Sequence, residues 1–118
     1  MRTQANKNAE VTPNTAVSAP GAAVTITLAA TPGQRHTLTG IQWSYSAAPA
    51  TGFITVQDGV VTILQIDITG AGPGFLPFYE VQGVGSGAGI VGGEGNAVTI
   101  ELGAGGGIIV GKINAQSK

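Results

Sequence analysis

The sequence predicts an all-β protein: a single antiparallel β-sandwich, jelly-roll-like, with an extended N-terminal arm. Three observations support this prediction. The chain has 118 residues, which is the size of one ordinary domain. Apolar residues alternate with polar ones over short runs, and this period of two is typical of half-buried strands. Turn residues, including 20 glycines and 6 prolines, separate these runs, and no run has a helical period.

The first segment, Met1–Ala16, is polar and has neither the strand period nor the helical period. It contains two of the 5 basic residues, Arg2 and Lys7. An extended arm of this length spans on the order of 50 Å and would reach a neighbouring subunit. We therefore expect an arm over residues 1–16 and a β-sandwich domain over residues 17–118. A disordered terminus is the alternative for the arm.

The first strands of the domain are predicted from alternation. Val24, Ile26 and Leu28 lie on one face of a strand whose other face carries threonines. Thr31–Gln34 has the Pro-Gly pair of a type II turn. The next strand, Arg35–Tyr45, is predicted to place alternate residues on one face: Thr37, Thr39, Ile41, Trp43 and Tyr45.

The dipeptide Asp58-Gly59 predicts a β-hairpin with a two-residue type I′ turn between Phe53–Gln57 and Val60–Ile68. With Asp58 and Gly59 as the loop residues, the predicted cross-strand pairs are Val56 with Val61, Ile54 with Ile63, Thr55 with Thr62, and Phe53 with Leu64. Both faces of the hairpin then carry large apolar side chains. One face enters the core, and the other needs a further cover.

The second half of the chain is rich in glycine and ends in two strands. A Pro-containing aromatic segment, Phe75–Tyr79, is expected at a sheet edge or in a loop. A long loop is predicted over Gly83–Gly95, followed by strands over Ala97–Leu102 and Gly107–Asn114. Seven or eight short strands with such turns predict a sandwich of jelly-roll type, and a small barrel is the alternative.

Composition argues against several functions. Charged residues make up 9% of the chain, against about a quarter in a typical soluble domain, and the net charge is −1. The basic residues are scattered, which argues against nucleic-acid binding. There is no cysteine and one histidine, so Cys-based and multi-His metal sites are excluded. No apolar run reaches the roughly 18 residues of a membrane span.

No motif indicates catalysis. The residues Gly87–Gly92 match G-x-G-x-x-G, but a turn and a strand follow where a dinucleotide site needs a helix. The carboxylates are not predicted to converge on one cleft, and His36 begins a strand beside Arg35. We therefore expect a protein that is not an enzyme, with no catalytic, cofactor-binding or metal-binding residues.

The aromatic residues are the candidates for binding. Trp43, Tyr45 and Tyr79 are the candidates for stacking on a sugar, although the apolar face of Trp43 favours a place in the core. The loop aromatics either fold back over the core or anchor a partner. The predicted partner-contact residues are Arg2, Lys7, Phe75, Leu76, Phe78 and Tyr79.

Several segments together resemble small virion-associated proteins of tailed bacteriophages, of the capsid decoration or cement type. They are Gly40–Pro49, Phe53–Ile68, Asp67–Phe78 and the closing strands Asn96–Gly107 and Gly111–Asn114. The likeness covers roughly Ala22 to Asn114. It implies a β-sandwich without enzymatic activity, and some phage capsids carry similar small proteins as trimers.

Two functional hypotheses follow. The first is a non-enzymatic virion structural protein, a capsid decoration or cement protein that stabilises the head through inter-subunit contacts. It would be made in the host cytoplasm, sit on the capsid surface as a homotrimer, and contact the major capsid protein or other virion proteins. The low charge and the two apolar hairpin faces also suit a subunit packed among copies. The alternative is a host-surface or glycan-binding module of a phage fibre or head spike.

Overall fold

Two antiparallel sheets pack face to face in the computed structural model, which describes residues 12–77 and 90–117. The described strands are β1 (Thr12–Val17), β2 (Val24–Leu28), β3 (Thr37–Tyr45), β4 (Gly52–Asp58), β5 (Val61–Ile68), β6 (Gly74–Pro77), β7 (Ile90–Val91), β8 (Val98–Leu102) and β9 (Gly111–Ser117). Sheet A has the order β1-β9-β3-β6, and β7 also pairs with β3. Sheet B has the order β2-β8-β4-β5. Apart from β7, this is an eight-stranded jelly roll, so the predicted fold class is confirmed.

Alternation builds the core between the two sheets. The predicted inward residues of β2 and β8, among them Ile26, Leu28 and Ile100, are buried there. The largest fully buried side chains are Leu38, Ile41, Ile54, Val56, Ile100, Leu102 and Ile113. Full burial of each such side chain contributes about 1.5–3 kcal/mol relative to exposure. Side chains from both sheets therefore form the core, and the outer face of each sheet is turned toward solvent.

The predicted arm overlaps the first strand. Its residues 1–11, which include Arg2 and Lys7, lie outside the described residues. Strand β1 pairs with β9 along its whole length, from Thr12 opposite Ser117 to Val17 opposite Lys112. Within β1, Ala16 packs against the core. The last residues of the predicted arm, 12–16, therefore belong to the sandwich.

The hairpin prediction is correct in its elements and wrong in its register. Asp58 pairs with Val61, so the two loop residues are Gly59 and Val60. Only Gly59 has positive φ, at 64°, whereas a type I′ turn needs positive φ at both central residues. A bulge in β5 then leaves Ile63 without a partner, because Gln57 pairs with Thr62 while the preceding residue of β4 pairs with Leu64.

This bulge changes which side chains share a face. Ile54 now pairs with Ile66 on the core side, and Thr55 pairs with Gln65 on the outer side. Away from the turn, the expectation of two apolar hairpin faces is therefore wrong, because β5 presents Gln65 and Asp67 outward, whereas Val61 and Ile63 near the turn are exposed. Asp58 lies at the end of β4, where its carboxylate accepts one bifurcated hydrogen bond from the Gly93 N–H, with N···O distances of 3.0 and 2.9 Å.

A second bulge alters the predicted face of β3. The pairing with β9 shifts between Leu38 and Gly40. Leu38 and Ile41 are consequently both in the core, with 1% and 0% exposure. The prediction that Thr37 and Thr39 share the face of Ile41 is therefore wrong. Thr39 instead uses its hydroxyl to donate a hydrogen bond to the carbonyl oxygen of Gln116, at 3.2 Å.

The last strand begins later than predicted. Residues 107–110 form the end of a turn rather than a strand, with Gly106 and Gly107 at φ of 91° and 56°. The Ile109 N–H donates to the Gly106 carbonyl within this turn, and the Ile109 carbonyl accepts from the Gly21 N–H. Strand β9 therefore runs over Gly111–Ser117 rather than Gly107–Asn114. Its outward-facing residues accordingly come from the later segment.

Across the described ranges, the structure has no helix of the length and apolarity that a membrane crossing demands.

Candidate functional site

The outer face of sheet A carries a groove formed by residues of β3, β9 and the start of β6. The residues that line it are Gln42, Trp43, Ser44, Pro73, Gly74, Phe75, Lys112 and Asn114, and its volume is about 460 Å³. Register places Phe75 opposite Gln42, and Gln42 in turn opposite Asn114. The same row continues to Thr15 on β1. Four strands thus contribute one row of side chains across the face.

Alternation along β3 and β9 produces this polar face. Ile41 and Ile113 point into the core with 0% exposure, so their neighbours Gln42, Lys112 and Asn114 point outward. Lys112 lies opposite Ser44, one row beyond the pair formed by Gln42 and Asn114. The groove floor therefore carries an ammonium, a hydroxyl and two amide groups.

Phe75 supplies the aromatic wall of the groove. It lies on the edge strand β6 and is 56% exposed. Its ring extends over Gly40, where a Cβ would lie 3.0 Å from Cε1 of Phe75. The absence of a side chain at Gly40 leaves room for the ring at this position. The ring remains partly accessible on the strand next to Gln42.

Asn114 is held in place but keeps hydrogen-bonding capacity. Its Nδ2 donates to the hydroxyl of Thr15 at 2.6 Å. Its Oδ1 is shielded from solvent and has no hydrogen-bond partner among the described residues. Whichever way this amide is turned, one of its two polar atoms stays unpartnered. The amide also lines the groove beside Gln42 and Lys112.

Of the predicted partner-contact residues, the structure places two. Phe75 lies in the groove, and Leu76 is half-buried on the core side, opposite Ile41. Arg2, Lys7, Phe78 and Tyr79 lie outside the described residues. The edge position predicted for the aromatic segment is confirmed for its first part, since β6 is the last strand of sheet A.

Of the predicted sugar-stacking residues, Trp43 and Tyr45 are not exposed, and Tyr79 lies outside the described residues. Trp43 is half-buried, packs against the core, and has its indole against Gly72 and Gly74. Tyr45 is buried, and its phenol donates a 2.7 Å hydrogen bond to the carbonyl of Gly103. Burial raises the pKa of Tyr45 above its ordinary value of 10.0, against an opposing effect of a hydrogen bond with the backbone of Phe53.

Sequence reasoning missed the polar part of the groove. Gln42, Lys112 and Asn114 were not candidates, although each alternates with buried apolar neighbours. That alternation is visible in the sequence. The pairing of β3 with β9, which brings these residues side by side, is not.

The described residues around the groove offer binding groups rather than catalytic ones. No carboxylate and no histidine is among the residues that line it. Within residues 12–77 and 90–117, no three His, Cys, Asp or Glu side chains are grouped so that they could hold a metal ion. His36 is elsewhere, with its Nε2 2.7 Å from the carbonyl oxygen of Ala29. The groove can therefore stack on a flat apolar surface and exchange hydrogen bonds with it.

The described residues form a jelly-roll β-sandwich with a groove on the outer face of sheet A. No family model and no curated protein matches the chain. Among solved structures, it is similar to the CBM36-1 domain of a multidomain xylanase from the hindgut metagenome of Trinervitermes trinervoides. The identity is 15% and the TM-score 0.44, with 86% of this chain and 73% of that one covered.

Two further solved structures have a similar fold. A carbohydrate-binding module CBM36 in complex with calcium and xylotriose is 16% identical, with a TM-score of 0.43, and 85% of this chain and 76% of that chain are covered. The Yersinia pseudotuberculosis-derived mitogen is 9% identical, with a TM-score of 0.47, and 92% and 85% are covered. Similarity at this level says nothing about what the chain binds.

Proposed function

We propose that the chain is a non-enzymatic glycan-binding module whose binding site is the groove on sheet A. The observation that carries this proposal is the position of Phe75, 56% exposed, beside a floor of amide, hydroxyl and ammonium groups. A saccharide ring has an apolar face of C–H groups and a rim of hydroxyls. It therefore matches both the aromatic wall and the polar floor of the groove.

The polar groups suit hydroxyl ligands in particular. The amides of Gln42 and Asn114 each carry donors and an acceptor, and a sugar hydroxyl can both donate and accept. The hydrogen bond to Thr15 already fixes the Asn114 amide. Binding then costs less side-chain entropy at Asn114 than it would at a freely rotating amide.

The same set of residues supports a role without catalysis. Glycoside hydrolysis ordinarily needs two carboxylates facing one cleft, and the described lining of this groove has none. General acid–base catalysis needs a titratable group within hydrogen-bond reach of the reacting atom. Lys112 supplies the ionisable side chain among the described residues that line the groove, and no second ionisable side chain stands beside it in that lining.

A glycan array tests the proposal. The purified chain is expected to bind a subset of glycans, and Phe75→Ala is expected to weaken that binding about tenfold or more, since buried aromatic anchors dominate binding energies. Ile108→Ala is the matched control, because Ile108 is 86% exposed in the turn before β9 and does not line the groove. Circular dichroism checks that both variants stay folded. Absence of binding across the array, or unchanged binding by Phe75→Ala, would contradict the proposal.

A second candidate function, a virion structural subunit of the capsid decoration or cement type, is favoured by a different surface. The tip of the β4–β5 hairpin exposes Val60, Val61 and Ile63 by 94%, 60% and 39%. An exposed apolar cluster of this kind suits burial by a sister copy or by the major capsid protein. In this role the chain would form a homotrimer on the capsid surface.

Molar mass separates the two candidates. Light scattering is expected to give three times the chain mass of 11.7 kDa for a trimer, and Val60→Asp is expected to reduce it to the monomer mass. Co-sedimentation with purified capsids then reports occupancy. A monomer that binds glycans and does not sediment with capsids would exclude the virion role in favour of the first proposal.

A further inference from the structure

We infer that the saccharide taken by the groove on sheet A is anionic, with a carboxylate or sulfate group placed over Lys112. This inference rests on the proposed glycan-binding function of the groove and names the chemical class of its ligand. It is drawn from the surroundings of Lys112 and from the distribution of charge between the two faces of the sandwich.

Lys112 stands among uncharged neighbours. Its cross-strand neighbours are Ser44 on β3 and Val17 on β1, and Asn114 follows on the same face. The side chain is exposed, and it lines the groove with Ser44 and Asn114. An ammonium group has three donors and no acceptor. Its best partner is therefore an anion rather than another hydroxyl.

The carboxylates of the described residues lie away from this face. Asp67 and Glu101 point outward from sheet B, where Glu101 is opposite Thr25 and Thr55. Asp58 and Glu94 lie near one end of the sandwich, in the β4 terminus and the turn before β8. The groove face consequently has a positive charge with no nearby counter-charge of its own among these residues.

A neutral saccharide would leave this charge uncompensated. Covering the groove removes water from the Lys112 ammonium, and a buried charge without a partner is costly. An acidic saccharide supplies the partner, while its ring still stacks on Phe75 and its hydroxyls still reach Gln42 and Asn114. Stacking then provides affinity common to many sugars, and Lys112 provides discrimination for charged ones.

The outer face of sheet B differs in charge from the groove face of sheet A. Its row on sheet B consists of Thr25, Glu101, Thr55 and Gln65, so its formal charge is negative. An anionic glycan is attracted to one face of the sandwich and repelled by the other. Binding of such a ligand would therefore orient the molecule with sheet A toward the glycan.

The test uses pairs of ligands that differ only in charge. An array pairs oligogalacturonate and hyaluronan oligosaccharides with their methyl esters, which keep the sugar and remove the negative charge. The wild-type chain is expected to bind the acids about three- to tenfold more tightly than the esters, the range for one charge-assisted hydrogen bond at a partly exposed site. Raising the ionic strength is expected to reduce binding of the acids only.

Three variants assign the effect to Lys112. Lys112→Gln is expected to bind the acid and the ester equally, while Lys112→Arg keeps the preference because it keeps the charge. Glu101→Gln raises the net charge but lies on sheet B, so the preference is expected to stay unchanged. If Glu101→Gln tightened acid binding as much as Lys112→Gln weakened it, net charge rather than the groove would be responsible and the inference would fall.

The failure of this inference differs from that of the proposed function. Wild-type binding that is equal for acids and esters, and still sensitive to Phe75→Ala, overturns the anionic ligand and leaves a neutral-glycan module. If the wild-type chain binds neither the acid nor the ester of any pair, and no neutral glycan on the array, the proposed glycan-binding function itself is overturned. A preference abolished by Lys112→Gln and kept by Lys112→Arg supports both.

Discussion

The phenol of Tyr45 donates a hydrogen bond of 2.7 Å to the carbonyl oxygen of Gly103, and this bond joins the two sheets. Tyr45 is the last residue of β3 in sheet A, and Gly103 follows β8 in sheet B. The N–H of Gly103 in turn donates to the carbonyl oxygen of Phe53, at 2.8 Å. Both backbone polar groups of the buried Gly103 are thus satisfied, its carbonyl from sheet A and its N–H within sheet B.

Tyr45→Phe removes this bond and keeps the ring. We expect the variant to lose about 1–2 kcal/mol of unfolding free energy, because the buried carbonyl of Gly103 is left without its donor. Urea denaturation followed by tryptophan fluorescence measures the change. A variant as stable as the wild type to within about 0.3 kcal/mol would show that the bond contributes nothing net.

Tyr45 also predicts how stability depends on alkaline pH. Burial raises the pKa of Tyr45 above 10.0, so the folded chain keeps this proton at pH values where the unfolded chain releases it. The stabilisation is complete below pH about 10 and falls as the pH rises toward the folded pKa. Urea midpoints between pH 8 and 11 measure the fall, and the part due to Tyr45 is expected to be absent in Tyr45→Phe.

The contact between Trp43 and Gly74 of β6 predicts a large effect of one methyl group. A Cβ at Gly74 would overlap the indole of Trp43, whereas a Cβ at Gly70 would meet nothing within 4 Å. We expect Gly74→Ala to destabilise the chain by about 1–3 kcal/mol through overpacking. Gly70→Ala should stay within about 0.5 kcal/mol of the wild type. Thermal denaturation compares the two, and equal melting temperatures would contradict the packing described for Trp43.

Asp58 predicts a link between the β4–β5 hairpin and the turn that precedes β8. Its carboxylate accepts hydrogen bonds from the Gly93 N–H and from Nδ2 of Asn96, at 3.1 Å. Asp58→Ala is expected to cost about 1–2 kcal/mol, because charge-assisted bonds to two groups are lost at a partly exposed site. Asp67→Ala, at an exposed position of β5, serves as the control. Hydrogen exchange should show faster opening at Gly93 in the first variant only.

The strands could be predicted from alternation, but their registers could not. The inward residues of β2 and β8 follow directly from the period of two in the sequence. In β5, the extra residue Ile63 reverses the phase, and no local pattern marks it. The bulge follows from tertiary contacts, since Asp58 is held in β4 by Gly93, 35 residues away in the chain. Local turn chemistry was outweighed by a long-range hydrogen bond.

The candidate site was only partly predictable for the same reason. Phe75 could be singled out because an aromatic beside prolines and glycines is an unusual loop residue. Its partners Gln42 and Asn114 are 72 residues apart along the sequence and meet only through the pairing of β3 with β9. Polar residues that face solvent are common, so alternation alone cannot separate a binding face from an ordinary surface.

The row from Phe75 through Gln42 and Asn114 to Thr15 draws on the earliest and the latest strands that the structure describes. A peptide excised from any one region would hold at most part of the row. Occupancy of the groove is thus thermodynamically coupled to closure of the whole sandwich. At a free-ligand concentration one hundred times Kd, this coupling would stabilise the folded chain by about 2.7 kcal/mol, so a melting curve alone could screen for the ligand.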